Sequence, residues 1–129
     1  MQGASPLRLV VLLYEQAIED LRRALAAQRR GEVEVRTRDI NHAILVIGHL
    51  QTSLDQTQGG EVATNLRNFY AMVRAGLVEA QCRQSESLLD HQISHLLTVH
   101  DAWCRAEREV AEQEAGPGAR ANSGMEWRA

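Results

Sequence analysis

The chain has 129 residues, a net charge of −3 from 17 acids against 14 bases, and only 4% aromatic residues. That length fits one domain with a single core, and so few rings require the core to be aliphatic. Every base is arginine and the arginines are scattered, so the basic stripe that nucleic-acid binding needs is missing.

No apolar run approaches the roughly 20 residues of a membrane span. The longest, Leu9 to Tyr14, is too short for a signal-peptide core, and a cytoplasmic location is the expectation. Cys82 and Cys104 form no Cys-x-x-Cys motif; on adjacent antiparallel helices they fall too far apart to bridge, so both are expected as reduced thiols. Pro6 and Pro117 bracket a long interior free of helix breakers, which makes all-α the expected class.

A first helix is expected from Pro6, with Ser5 as its N-cap, to a stop at Gly31. Val10, Leu13, Tyr14, Ala17, Leu21 and Ala24 line one stripe of it, and Leu7, Val11, Ile18 and Leu25 a second stripe beside the first. The second helix runs from about Glu34 to Thr57, with Ile40, Ala43, Ile44, Ile47, Leu50 and Leu54 inward and Leu45 alone on the opposite side. Gly59-Gly60 then reverses the chain. The third helix begins near Gly60 or Glu61 and lasts to about Cys82; Val62, Leu66, Phe69, Val73, Leu77 and Ala80 form its inward stripe, with Tyr70 on the margin. Ser85 caps a fourth helix that extends to about Glu112 through Leu89, Ile93, Leu96, Leu97, Trp103 and Val110. Short links between long helices predict an antiparallel up-down-up-down four-helix bundle over residues 1–113. Residues 114–129 lose periodicity and are expected as a flexible tail.

The histidines are the first chemical candidates. His91 and His95 have the i, i+4 spacing of metal ligands but no third ligand, and His42 and His49 lie on the polar face of the second helix. His100 points into the apolar stripe between Leu96 and Trp103. A di-iron bundle needs Glu-x-x-His on two helices; the nearest match, Asp39-x-x-His42, occurs once and on a face expected to point outward. Phosphotransfer bundles resemble one another in a His-x-x-Lys-Gly pattern, which a chain without lysine cannot match. A histidine phosphotransfer or metal-binding bundle therefore stands only as the alternative. No phosphate loop or nucleophile elbow is present, so an enzyme is not expected. The excess apolar surface reads equally well as core or as a groove for a partner's amphipathic helices.

Two motifs separate these readings. Ala4-Ser5-Pro6-Leu7-x-Leu9-Val10-x-x-Leu13-Tyr14-Glu15-x-Ala17 resembles the opening of the FliS family of flagellin export chaperones. Ser53-Leu54-Asp55-x-x-x-Gly59-Gly60-Glu61-Val62-Ala63-x-Asn65-Leu66-x-x-Phe69-Tyr70 resembles that family's second signature, and Val78-Glu79-Ala80 and Trp103 also fall in place. The likeness spans about residues 4 to 110. It implies a cytosolic chaperone that binds the disordered C-terminal segment of flagellin, prevents early polymerisation, and delivers the client to the flagellar type III export gate. It implies no nucleotide, metal or other cofactor, and it leaves a homodimer open.

Two departures stand out: only Met1-Gln2-Gly3 precede Ala4, where the family usually carries a longer segment with a tyrosine, and Gln16 replaces a glycine. Expected client-binding residues are Val11, Ile18 and Leu25 on the first helix, Ile44 and Ile47 on the second, and Leu97 and Trp103 on the fourth. A charge at Ile18 is expected to stop client capture while leaving the bundle folded.

Overall fold

The computed structural model describes residues 6–57 and 59–128, so the expected Ser5 cap lies outside the described residues. Four helices follow one another: α1 (Pro6–Arg29), α2 (Val33–Thr57), α3 (Gly60–Arg83) and α4 (Glu86–Arg128). Each start and stop has a local cause. α1 ends where Gly31 turns left-handed at φ 76°, and the Glu32 and Gly31 amides donate back to the Ala27 and Gln28 carbonyls at 2.8 and 3.1 Å. These two bonds satisfy carbonyls that the helix end would otherwise leave bare. Gly59 is extended and Gly60 adopts φ 73°, which reverses the chain between α2 and α3. α3 closes on Gln84 in the left-handed region, and Ser85 caps α4 by accepting from the Leu88 amide at 3.1 Å.

The helices pack as a ring in which each touches its chain neighbours and α4 closes onto α1. Packing is densest along α1/α2 and sparsest along α2/α3 and α3/α4. Polar contacts set the antiparallel registers. Arg29–Glu86 and Arg8–Glu107 tie opposite ends of α1 and α4, while Asp55–Arg67, Gln51–Arg74 and Thr37–Gln81 step along α2 and α3 in opposite directions. Exposed pairs of this kind contribute about 0–1 kcal/mol each, so they select register more than they stabilise.

The core supplies the stability. Leu21, Ile40, Ile47, Leu50, Leu77, Leu89 and Leu96 are essentially sealed from solvent, and each fully buried aliphatic side chain contributes about 1.5–3 kcal/mol. Tyr14 of α1 and Tyr70 of α3 bridge the diagonal of the ring, their hydroxyls 2.9 Å apart and their rings tilted at 54°. Tyr70, expected at the margin of its helix, is 2% exposed.

Three expectations shift with the packing. Val62, placed in the inward stripe of α3, is 59% exposed, and Leu66 and Phe69 are only partly buried; Ala63 and Tyr70 take the inward positions instead. The helix is rotated so that its 62–66–69 edge faces α4 across a gap. Asp39, expected outward, is buried, because α1 packs tightly enough on α2 to cover it. Finally, α4 continues past Glu112 to Arg128. Residues 108–115 are all exposed, so apolar periodicity, which records burial, carries no signal there, and the alanines and glutamates of 109–115 favour helix on their own.

Candidate functional site

The sparse α3/α4 edge opens into a groove of about 370 Å³. Its α3 wall is Val62, Asn65 and Leu66, and its α4 wall is Val99, Ala102, Trp103 and Ala106. The spacing explains the shape. Positions 62 and 66 share one face of α3, and 99, 102/103 and 106 share one face of α4. The small residues Ala102 and Ala106 leave room between the two ridges. An apolar trough flanked by two helices is the shape that accepts a third, amphipathic helix through i, i+3, i+4 anchors.

Trp103 is the partition between this groove and a second space. On its other side, a cavity of about 130 Å³ lies at the end of the bundle, walled by Leu7, Val10, Leu50, Leu54 and Tyr70 among others. The indole Nε1 is shielded from solvent, yet makes no hydrogen bond of normal geometry to any described residue. Burial pushes the Tyr14 phenol well above its ordinary range and Tyr70 adds to this; the nearby indole offsets a little of it. Burial likewise raises Tyr70, and the hydrogen bond from Tyr14 lowers it in part.

The expected client-binding residues divide into two groups. Val11, Ile18, Leu25 and Ile47 are buried in the core, because α1 is covered by α2 on one side and α4 on the other, so its second stripe offers no open groove in this structure. Ile44, Leu97 and Trp103 are partly buried, packed on the core with an edge free. Ile44 borders a shallow depression of about 500 Å³ with Leu45, Gly48 and Arg74 on the α2/α3 face. Trp103 alone lines the α3/α4 groove; its other walls, led by Val62 and Val99, were missed. The signal for them was weak, since the same 3–4 spacing that marks a groove edge also marks a core stripe.

Two polar constellations also escaped the sequence. His100 Nε2 sits 2.9 Å from Glu15 Oε2, joining α4 to α1, and its Nδ1 lies 3.3 Å from Asp101 Oδ1. Asp20, fully buried on α1, receives Arg23 at 2.6 Å, Gln16 at 3.0 Å and the His42 ring Nδ1 at 2.5 Å. Partners 22 and 85 positions apart leave no local pattern to read. Among the described residues, no group of three or more His, Cys, Asp or Glu side chains could hold a metal ion. Nor is any described helix long and apolar enough to cross a membrane.

Residues 1–110 match the family described as flagellar protein FliS. The chain belongs to the FliS family. It is 39% identical to the flagellar secretion chaperone FliSB of Pseudomonas aeruginosa over 103 residues, 80% of this chain and 82% of that one. It is 29% identical to the flagellar secretion chaperone FliS of Salmonella typhimurium over 116 residues, 89% and 86% of the two chains. The FliS of Vibrio cholerae is 28% identical over 103 residues, 80% of this chain and 76% of its own. The resemblance carried by the two sequence motifs therefore extends across the whole bundle of this FliS-family chain.

Proposed function

We propose that this FliS-family chain is a cytosolic flagellar export chaperone whose client is the C-terminal segment of a flagellin. The observation that carries the reading is the α3/α4 groove: an exposed apolar trough on a well-packed bundle, with the edge of Trp103 in its wall. An apolar face left open in this way suits a helix that is itself prone to self-association. Binding hides that helix, so the client cannot polymerise, and the ordering entropy it loses keeps release feasible. The work is done by binding, without catalysis or a cofactor.

On this reading the client contacts Val62, Leu66, Val99 and Trp103, which line the groove, with Leu97 and Ile44 at its margins or on the neighbouring face. The core residues Val11, Ile18, Leu25 and Ile47 act by holding the helices that form it. The chaperone unit spans residues 1–113, and residues 114–129 form an appendage outside it. The family relationship supports delivery to the type III export gate as the step after binding, and a homodimer is compatible with the exposed groove in the absence of client.

Isothermal titration calorimetry of the full chain with a peptide from a flagellin C-terminus tests the reading. Saturable heat at one peptide per chain is the expected outcome. No heat at concentrations in the tens of micromolar range, about 6–7 kcal/mol of binding free energy, would refute it.

A further inference from the structure

On the α1/α2 edge, across the ring from the groove, a histidine is set up differently from the other exposed imidazoles. His42 belongs to α2 and is about half exposed, yet its Nδ1 lies 2.5 Å from Oδ2 of Asp20, a carboxylate sealed inside the α1/α2 contact. Asp20 does not move freely, because Arg23 at 2.6 Å and Gln16 at 3.0 Å hold its other oxygen. A buried carboxylate facing Nδ1 fixes the proton there, since the neutral ring then donates to it. The second nitrogen, Nε2, is left as a bare lone pair, and it has no hydrogen-bond partner among the described residues. A carboxylate behind an imidazole orients the ring, here with its far nitrogen turned away from Asp20.

The surroundings add a charge preference. Arg38 stands one helical turn before His42 on the same face of α2, and Arg23 reaches the same carboxylate from α1. Arg23 is committed to Asp20, whereas Arg38, 70% exposed at the side chain and paired with Asp39 at 3.5 Å, can turn towards a dianion bound at Nε2. His49, His91 and His95 are also exposed, and no carboxylate contact orients any of them among the described residues.

We propose that His42 is a phosphoryl-acceptor site, loaded at Nε2 by a donor of the N–P class, such as a phosphoramidate. In the step, the Nε2 lone pair forms the new N–P bond while the donor's own N–P bond breaks. The donor nitrogen enters already protonated, as phosphoramidate does near neutral pH, and leaves with that electron pair as the neutral amine. The Nδ1 proton stays between the ring and Asp20, whose negative charge offsets the positive charge developing on the ring; Arg23 stays on Asp20, and Arg38, one helical turn away, is the cation available to the transferred phosphoryl oxygens. Because the site lies opposite the α3/α4 groove, it is open whether or not the groove is filled, and it does not depend on the identity of the client.

The probe is potassium phosphoramidate, incubated with the full chain near neutral pH, with occupancy of each histidine followed over time by mass spectrometry under alkaline conditions. His49, His91 and His95 report the reactivity of an unassisted imidazole in the same tube. His42 is expected to gain an acid-labile phosphoryl group about tenfold faster than these three, the lower end of the roughly 10–100-fold that a histidine's outer partner contributes at metal sites. Asp20→Asn, shown by circular dichroism to remain helical, should bring His42 back to the reference rate, and His42→Gln should remove the fast site. Nitrogen NMR of the wild-type imidazoles gives an independent reading, expected to show the proton on Nδ1 of His42. Equal rates at all four histidines, or a proton on Nε2, would overturn the proposal even if Asp20→Asn fails to fold.

Discussion

Ile18 keeps 4% of its surface in water and belongs to the same buried cluster as Tyr14, Leu21 and Ile47. Read along α1 alone, it sits on a second apolar stripe that could equally have been surface. The structure removes that freedom, because α4 covers the stripe. Ile18→Asp is therefore expected to lower stability by about 3 kcal/mol or more, since a carboxylate there has no partner. A urea titration should show the midpoint collapse, and loss of client capture would follow from unfolding; this reverses the expectation drawn from the sequence. The tyrosine pair gives a pH signature at the same scale. Folded Tyr14 and Tyr70 both resist ionisation, chiefly through burial, whereas unfolded phenols ionise near 10.0. Above that pH the folded state binds more protons, so stability is complete below pH 10 and falls as pH rises, by about 1.4 kcal/mol per pH unit for each phenol. Tyr14→Phe should lose about 1 kcal/mol at neutral pH from the broken hydrogen bond. It should also show roughly half the alkaline slope in urea midpoints taken between about pH 9 and pH 11.

At the scale of the elements, starts and stops were the most legible features. Gly31, Gly59-Gly60 and Ser85 mark boundaries through backbone freedom or a capping oxygen, both local properties that need no tertiary contact. Gly60 holds φ 73° with open space where a side chain would go, so the strain on substitution is conformational. Gly60→Val should destabilise by roughly 1–2 kcal/mol and lower the melting temperature by about 5 °C or more; an unchanged melt would dismiss the tight-turn reading. Gly76 matters for a different reason. A β-carbon there would lie 2.6 Å from Cδ of the buried Gln92, where α3 passes α4. Gly76→Ala should lower stability by about 1 kcal/mol despite the better helix propensity of alanine. Adding Gln92→Ala should recover part of that loss, and simple additivity of the two changes in chemical denaturation would argue against a close crossing.

For the whole molecule, the ring is unevenly tight, and the proposed binding surface lies on its looser side. α1/α2 is closely packed and sewn with buried polar contacts, while α3/α4 carries an open apolar groove of about 370 Å³. Val62 is 59% exposed on that open edge. Val62→Asp is expected to leave the urea midpoint within about 0.5 kcal/mol of wild type while weakening the flagellin peptide at least tenfold, about 1.4 kcal/mol, in calorimetry. Unchanged affinity would move the client to another face, and the depression around Ile44 and Leu45 would be the next to test.

What the sequence determined by itself is what depends on local chemistry and period. The helical class, the four segments, the glycine turns and the two family motifs were all readable, because caps, backbone freedom and 3.6-residue spacing act within a few residues. Tertiary structure alone decided how far each helix is rotated about its axis, and hence whether Val62 or Tyr70 faced inward. It also decided which partner reaches Asp20 or His100 from another helix. A stripe of apolar residues states that a face avoids water; only the packing of the neighbouring helices states whether the chain itself covers that face or leaves it for a client.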